Sequence, residues 1–118
     1  MTITITRFEP GPRMSQAVAH GDRIYLAGMV GTEGADVTEQ AKTALAEVDR
    51  VLAAMGSGKS SVLKVVVWLA DMADFAAMNA VYDTWIDPEN PPVRACGESR
   101  LATPGYKVEF IVTAAKTT

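Results

Sequence analysis

Hydrophobic and polar residues alternate along the first quarter of the chain, a pattern typical of β-strands. In "TITITRF" at 2–8 a β-branched residue stands on each face in turn, and this composition favours a strand. The segment "MSQAVAHGDRIYLAGMV" at 14–30 indicates two strands joined at Gly21-Asp22. Glycine at the first central position suits a two-residue hairpin turn with positive φ. We therefore expect one strand followed by a hairpin.

The alternation returns in "VLKVVVWLA" at 62–70, where both faces of a strand would be rich in apolar residues. One face would carry Leu63, Val65, Val67 and Leu69, and the other Val62, Lys64, Val66 and Trp68. The second face is too apolar for open water. A helix can cover one face, but so short a chain has little left for the other, so the pattern indicates association with other subunits.

Between these strands the apolar period lengthens to three and four residues, which predicts an amphipathic helix starting after Asp36. Its apolar stripe consists of Val37, Ala41, Ala44, Leu45, Val48, Leu52 and Met55. Asp36 can accept hydrogen bonds from the unpaired amides of the first turn, and Glu39 lies three residues on. Gly56 can end the helix in the left-handed conformation.

A second helix is predicted in "DFAAMNAVYDTWI", with Asp74 as its N-cap and three prolines soon after its end. Its apolar side carries Phe75, Met78, Tyr82, Trp85 and Ile86. Two further strands, about 93–99 and 107–114, flank the "ATPG" turn at 102–105. The order β-β-β-α-β-α-β-β predicts an α+β fold, a mixed sheet with two helices packed on one face, in a single domain over 1–118.

Composition and net charge make some classes of binding partner and some cellular locations unfavourable. The 118 residues carry a net charge of −3 with a pI ≈ 5.0, so no basic field for nucleic acid is expected. One cysteine allows no internal disulfide, and "MTITITRFEP" lacks the basic region and apolar run of a secretory signal, so we expect a cytoplasmic protein. The apolar run "VVVWLA" at 65–70 is far short of the roughly 20 residues that span a bilayer, so no membrane partner is expected.

Two features that could suggest a binding or metal site are better explained without one. "GSGKSS" at 56–61 resembles part of a phosphate-binding loop, but Ala53 stands where such a loop needs glycine, and a helix rather than a strand precedes it. His20 is the only histidine and lies beside the predicted turn, where an exposed imidazole is expected. With no second histidine and no cysteine cluster, no metal site is expected.

The stretch "NPPVRACGESRLATPGYKVEF" at 90–110 holds the main candidates for chemistry. Residues two apart on a strand share a face, so Arg94, Cys96 and Glu98 are expected on one side. An arginine in an otherwise apolar run suggests a carboxylate or phosphate ligand, since its planar fork makes two parallel hydrogen bonds. The structural alternative pairs Arg94 with Glu98 or Glu109. Cys96 is either a small buried residue or a nucleophile, with burial the commoner role for a free cysteine.

Glu109 alternates with Lys107 and Ile111 on the last predicted strand. Its structural role would be that of a half-exposed strand residue. Across from Arg94, its carboxylate would instead position and deprotonate a water for attack on a carbon–nitrogen double bond.

Taken together, these segments resemble the Rid family, the YjgF-like reactive intermediate deaminases. The match runs from about Gly11 to Lys116 through "YLAGMVG", "ADVTEQAKTALAEVDRVLAAMG", "VWLADMADFAAMNAVYDTW" and "NPPVRACGESRLATPGYKVEF". The resemblance implies a chorismate-mutase-like fold and a homotrimer whose sheets line a central barrel. It also implies sites in the clefts between subunits and no cofactor.

The resemblance further implies roles for individual residues. In the family's deaminases the arginine of the "P-x-R-x-C" segment clamps the substrate carboxylate, which implies this role for Arg94, with Cys96 in the same cleft. The glutamate of the closing strand activates water, which implies Glu109. Asn79, in "MNAVYD", matches a position that helps to build the cleft wall, and packing of the helix is its alternative role.

Two positions depart from the family pattern. Arg13-Met14 stand after the early Gly-Pro where the deaminases carry a tyrosine, and Ala27 replaces a serine, so Met14 and Ala27 would line an altered pocket. The expected function is hydrolysis of 2-imino acids, formed from their enamine tautomers, to 2-keto acids and ammonium. The alternative is a non-catalytic trimer that binds a carboxylate metabolite or a partner peptide in the same cleft.

Overall fold

The computed structural model describes residues 3–117, which form one seven-stranded sheet and two α-helices. The strands are β1 (Ile5–Phe8), β2 (Ala17–His20), β3 (Arg23–Leu26), β4 (Met29–Val30), β5 (Val62–Leu69), β6 (Val93–Glu98) and β7 (Val108–Ala115). The helices are α1 (Val37–Ala54) and α2 (Phe75–Trp85), with 3₁₀ turns at Lys59–Ser61 and Met72–Asp74. The second strand predicted within 14–30 is interrupted after Leu26, so that Met29–Val30 form the separate strand β4.

The strands lie in the order β1-β2-β3-β7-β5-β6, and β4 also pairs with β7. Strands β5 and β6 are parallel, and the other described pairs are antiparallel. Helix α2 connects β5 to β6, since a parallel pair needs a crossover rather than a tight turn. The predicted mixed sheet with two helices is confirmed.

Both helices pack on the same side of the sheet, here called the helix face. Its residues on β5 and β7 are buried: Val65, Val67, Leu69, Val108, Phe110 and Val112. The alternate residues of the same strands point to the opposite side, here called the open face, and are half-buried: Val66, Trp68, Glu109 and Ile111. This alternation arises because the helices cover only one side of the sheet.

Strand β5 departs from the predicted pattern at its start. The register shifts between Val62 and Lys64, so Val62 is only 4% exposed whereas Leu63 is 46% exposed. The prediction that Leu63 shares the face of Val65 and Val67 was therefore wrong. Strict alternation assumes a regular strand, and an irregularity of one residue exchanges the faces.

The predicted strand at 2–8 and the hairpin that follows it are observed with shorter bounds. Strand β1 covers 5–8, and Thr2 lies outside the described residues. Gly21 and Asp22 join β2 to β3, and Gly21 has a φ of 64°. The positive φ is the conformation for which glycine was expected at this turn.

Helix α1 begins and ends as predicted. Asp36 Oδ1 accepts a hydrogen bond from the Glu39 amide at 2.8 Å. At the other end Gly56 has a φ of 79°, and the Ser57 amide donates to the Leu52 carbonyl at 2.9 Å. This pairing closes the helix as a Schellman motif. The segment at 56–61 thus follows a helix, whereas a phosphate-binding loop follows a strand.

Helix α2 begins differently from the prediction. Asp74 occupies the N-cap position, but its side chain makes no capping hydrogen bond. Instead, Asp71 accepts from the Ala73 amide at 2.9 Å and begins the 3₁₀ turn that leads into the helix. The predicted capping role of Asp74 was therefore wrong. Neither α1 nor α2 is long and apolar enough to cross a bilayer.

Candidate functional site

Strand β6 carries Arg94 at the edge of the sheet. Arg94 is in register with Val65, and Cys96 with Val67, on the neighbouring strand β5. Residues in register on adjacent strands share a face, so Arg94 and Cys96 point to the helix face, as does Glu98 opposite Leu69. The prediction that these three residues share one side is confirmed.

Three side chains of α2 surround the Arg94 guanidinium. The Asn79 Oδ1 accepts a hydrogen bond from an Arg94 terminal nitrogen at 2.8 Å. The guanidinium carbon lies 4.7 Å from the centre of the Tyr82 ring and 5.9 Å from that of Phe75, distances at which a cation is attracted to an aromatic face. We call these four residues the guanidinium cluster. The other N–H groups of the Arg94 guanidinium have no hydrogen-bond partner in the described chain.

Neither carboxylate proposed as a structural partner pairs with Arg94 in the described chain. Glu98 Oε1 instead accepts a hydrogen bond from the Met72 amide at 3.0 Å, which ties the end of β6 to the 3₁₀ turn before α2. The structural alternative for Arg94, an ion pair with Glu98 or Glu109, is therefore not formed within one chain. Asn79, for which the sequence left a place in the cleft wall or a role in helix packing, accepts a hydrogen bond from Arg94 and orients it.

Cys96 is half-buried and packs against the core. Burial raises the pKa of its thiol, and the positive charge of Arg94 lowers it by a smaller amount. The net shift favours the neutral thiol, which is the weaker nucleophile. Between the two roles considered from the sequence, the structure thus favours a small buried side chain over a nucleophile.

Glu109 lies on β7 and faces the open side of the sheet. It is in register with Trp68 on β5 and with Val30 on β4. Gly28 lies against its carboxyl group, since a Cβ added at Gly28 would be 2.7 Å from the Glu109 Cδ. The absent side chain at position 28 therefore leaves room for the carboxylate. We call Glu109, Gly28 and Trp68 the carboxylate cluster.

Arg94 and Glu109 consequently lie on opposite faces of the sheet. Arg94 contacts α2 on the helix face, whereas Glu109 stands beside Trp68 on the open face. The expectation that the Glu109 carboxylate lies across from Arg94 is wrong within one chain. A single ligand can contact both groups only if two copies of the chain contribute one group each.

Of the other two predicted pocket residues, Ala27 lies near Glu109 rather than near Arg94. Ala27 directly precedes Gly28 and is partly buried against the core. Its amide donates to the Gln16 carbonyl at 2.9 Å, which brings the end of the 9–16 segment beside it. Met14, in that segment, is 51% exposed. Among the predicted site residues, then, Arg94, Asn79 and Cys96 form one group, and Glu109 and Ala27 form another.

Two members of the guanidinium cluster were not predicted as site residues. Phe75 and Tyr82 were assigned to the packing side of the second helix, yet both rings contact Arg94. Burial raises the pKa of Tyr82, while Arg94 lowers it less. The signal was present in the spacing, because Phe75, Asn79 and Tyr82 recur at four and three residues and so lie on one side of a helix.

The two clusters have complementary chemistry. A guanidinium held by an amide and two rings, with N–H groups left over, is suited to bind a carboxylate through two parallel hydrogen bonds. A half-buried carboxylate on the opposite face is suited to accept a proton. Within residues 3–117 no group of three or more His, Cys, Asp or Glu side chains is close enough to hold a metal ion.

The sequence and the fold are similar to those of known proteins over nearly their full length. Residues 4–116 match the family model described as Endoribonuclease L-PSP. A RutC family protein of Haemophilus ducreyi is 42% identical over 112 residues, which cover 94% of this chain and 96% of that protein. The crystal structure of a YjgF family member from Neisseria meningitidis superimposes with a TM-score of 0.97 at 43% identity and covers 100% of this chain and 99% of that one.

A similar protein from mouse is named for an activity on imines. The 2-iminobutanoate/2-iminopropanoate deaminase of Mus musculus is 35% identical over 103 residues, which cover 81% of this chain and 76% of that protein. The family model, the curated relatives and the superposition agree, and the chain belongs to the YjgF/RutC/Rid family.

Proposed function

We propose that the protein is a cofactor-independent deaminase that hydrolyses 2-imino acids, formed from their enamine tautomers, to 2-keto acids and ammonium. The observation that carries the proposal is the guanidinium cluster, in which Asn79 and Tyr82 orient Arg94 while leaving donors free for a carboxylate. A similar protein from mouse bears the name of an imine deaminase. The net charge of −3 does not favour RNA as the substrate.

In the proposed reaction Arg94 binds the substrate carboxylate and Glu109 acts as general base. Glu109 removes a proton from water as the water oxygen forms a bond to C2 of the imine, and the imine nitrogen takes up a proton. The amino nitrogen of the resulting 2-amino-2-hydroxy acid then takes up a proton, and the C–N bond breaks to release ammonia as the hydroxyl proton is removed and the C=O bond forms. Released ammonia becomes ammonium in water, so no redox partner is required.

Because Arg94 and Glu109 occupy opposite faces of one chain, the proposed site lies between two subunits of a homotrimer. Two features support this assembly. The open face is apolar at Val66, Trp68 and Ile111, which are half-buried although both helices pack on the other face. Strand β6, which carries Arg94, is the edge of the sheet and has the 67% exposed Val93 at its start.

A panel of imines tests the proposed activity. Amino-acid oxidases generate 2-imino acids in the assay, and release of ammonium or keto acid is compared with and without the protein. The proposal expects acceleration above spontaneous hydrolysis for at least one member. Unchanged rates across neutral, aromatic and acidic imines would refute it.

A non-catalytic trimer that binds carboxylate metabolites is the second candidate, and two departures from the pattern of the family's deaminases favour considering it. Met14 and Ala27 stand where the family's deaminases carry a tyrosine and a serine, so two hydroxyl groups are missing from the proposed cleft. Calorimetry with 2-keto acids separates the candidates. Saturable binding together with no acceleration of any imine supports the binding protein, whereas acceleration supports the enzyme.

A further inference from the structure

A cavity of about 400 Å³ lies where the chain crosses from β6 to β7 over the end of β5. Its walls include Ala70, Arg100, Leu101, Thr103, Pro104 and Tyr106. Both ends of the crossing are fixed to β5 and its continuation. The Ser99 amide donates to the Leu69 carbonyl at 2.9 Å, and the Ala70 amide donates to the Lys107 carbonyl at 3.0 Å.

A buried glutamine of α1 fixes the crossing segment from the side of the helices. Gln40 is fully buried, and its Nε2 donates to the Gly105 carbonyl at 2.8 Å while its Oε1 accepts from the Lys107 amide at 2.8 Å. The Thr103 hydroxyl donates to the Glu33 carboxylate. A fully satisfied buried amide rigidifies the backbone that it contacts. The cavity is therefore preformed by the fold.

Arg100 gives this cavity a positive charge. Its side chain makes no hydrogen bond or ion pair with another part of the chain between residues 3 and 117. None of the lining residues is acidic, and the nearby Glu33 carboxylate is already hydrogen-bonded by Thr103. Tyr106 adds a phenol, and the remaining walls are mainly apolar. Such a cavity suits an anionic group at the end of a short apolar chain.

The cavity also lies close along the strands to the proposed general base. Ala70 stands two residues beyond Trp68, the register partner of Glu109, and Tyr106 stands three residues before Glu109 on the same segment. Two residues of a strand span about 7 Å. The side chain of a small imino acid attacked at C2 beside Glu109, together with an extended Arg100 side chain, can bridge such a distance.

We propose that this cavity receives the acidic end of the substrate side chain, so that the preferred substrates are imines of dicarboxylic amino acids. The inference rests on the proposed deaminase function. In the proposed complex, Arg94 of one subunit binds the C1 carboxylate, and Glu109 of its neighbour activates the water at C2. Arg100 of that same neighbour binds the distal carboxylate. Arg100 is thus a specificity-determining residue, separate from the groups that act at C2.

Two imines of equal chain length test this assignment. The five-carbon imines derived from glutamate and from norvaline differ in the distal carboxylate, and each can be generated by an oxidase. We expect wild type to show the higher kcat/KM on the glutamate-derived imine. Arg100→Gln should lower that value about tenfold or more and leave the norvaline-derived value within about twofold, as loss of one charge-assisted contact predicts.

Arg23→Gln is the matched control, because Arg23 pairs with Ala115 at the opposite end of β7 from Glu109. It should change neither the preference nor the rates. An equal loss of kcat/KM on both imines in Arg100→Gln, or no preference in wild type, would overturn the assignment of the cavity. Neither result would overturn the proposed deaminase function. Failure of wild type to accelerate either imine would also overturn the assignment of the cavity, whereas failure on every imine of the panel would overturn the proposed function.

A binding measurement gives a readout that does not depend on turnover. Calorimetry with 2-oxoglutarate and 2-oxopentanoate should show tighter binding of the dicarboxylate to wild type, by about tenfold, and loss of this difference in Arg100→Gln. Equal affinities in wild type would contradict the role of Arg100. A selective difference in a protein that accelerates no imine would support the cavity while refuting the deaminase.

Discussion

Arg94 is oriented by an amide and two aromatic rings rather than by a carboxylate. This arrangement fixes the guanidinium without neutralising it, so the charge remains available to a ligand. Residue types alone favoured an ion pair and a carboxylate clamp equally. Within one chain the contacts with α2 leave the cation without a carboxylate partner, because neither Glu98 nor Glu109 of the same chain reaches it.

Arg94→Lys tests the clamp at this position. Lysine keeps the positive charge but loses the planar fork and its stacking on Tyr82, so catalytic efficiency on the best imine should fall roughly ten- to a hundredfold. Circular dichroism and the oligomeric mass should stay as in wild type. Unchanged kcat/KM in Arg94→Lys would assign Arg94 a purely structural role.

Glu109→Gln tests the general base. Glutamine keeps the shape beside Gly28 and removes the proton acceptor, so turnover should drop by about 10² or more while keto-acid binding persists. Glu89→Gln is the control, because Glu89 lies in the exposed segment after α2. Parallel losses of binding and turnover in Glu109→Gln would contradict a role limited to proton transfer.

At the scale of elements, local signals predicted the ends of α1 and the first hairpin. Asp36, Gly56 and Gly21 each act within a few residues of their own position, so their conformations follow from neighbouring sequence. The irregular start of β5 was not predictable in this way. It depends on how β5 aligns with β7, which lies more than forty residues further along the chain.

The two aspartates before the helices provide a matched pair for stability. Asp36→Ala removes the hydrogen bond to the Glu39 amide, so the free energy of unfolding should decrease by about 1 kcal/mol. Asp74→Ala should change it by less than about 0.5 kcal/mol, because the Asp74 side chain makes no capping bond. Urea denaturation measures both values. Equal losses would show that the caps at α1 and α2 are equivalent, contrary to this assignment.

The sequence did not reveal that Arg94 and Glu109 lie on opposite faces of the sheet. Alternation predicts which neighbours share a face on one strand, but the faces of β6 and β7 are related only through their registers with β5. These registers place the two groups on opposite sides. The predicted apolar second face of β5 is the open face, which remains half-buried at Val66 and Trp68.

Val66→Glu tests the open face as the proposed trimer contact. Light scattering on wild type should give about three times the chain mass of 12.6 kDa at micromolar concentration. A charge at Val66, between Ile111 and Ala95, should shift the protein to monomers with the helix content retained. Ala46→Glu on the exposed side of α1 is the control and should remain trimeric. A monomeric wild type would contradict the proposed assembly.

The activity of mixed trimers tests whether two subunits share each site. Arg94→Gln and Glu109→Gln should each be nearly inactive alone. After unfolding, equal mixing and refolding together, about one quarter of the sites should combine an intact Arg94 from one subunit with an intact Glu109 from its neighbour. We expect deaminase activity to recover to about that fraction of wild type. Activity of the mixture no higher than the mean of the two separately refolded variants would contradict the account.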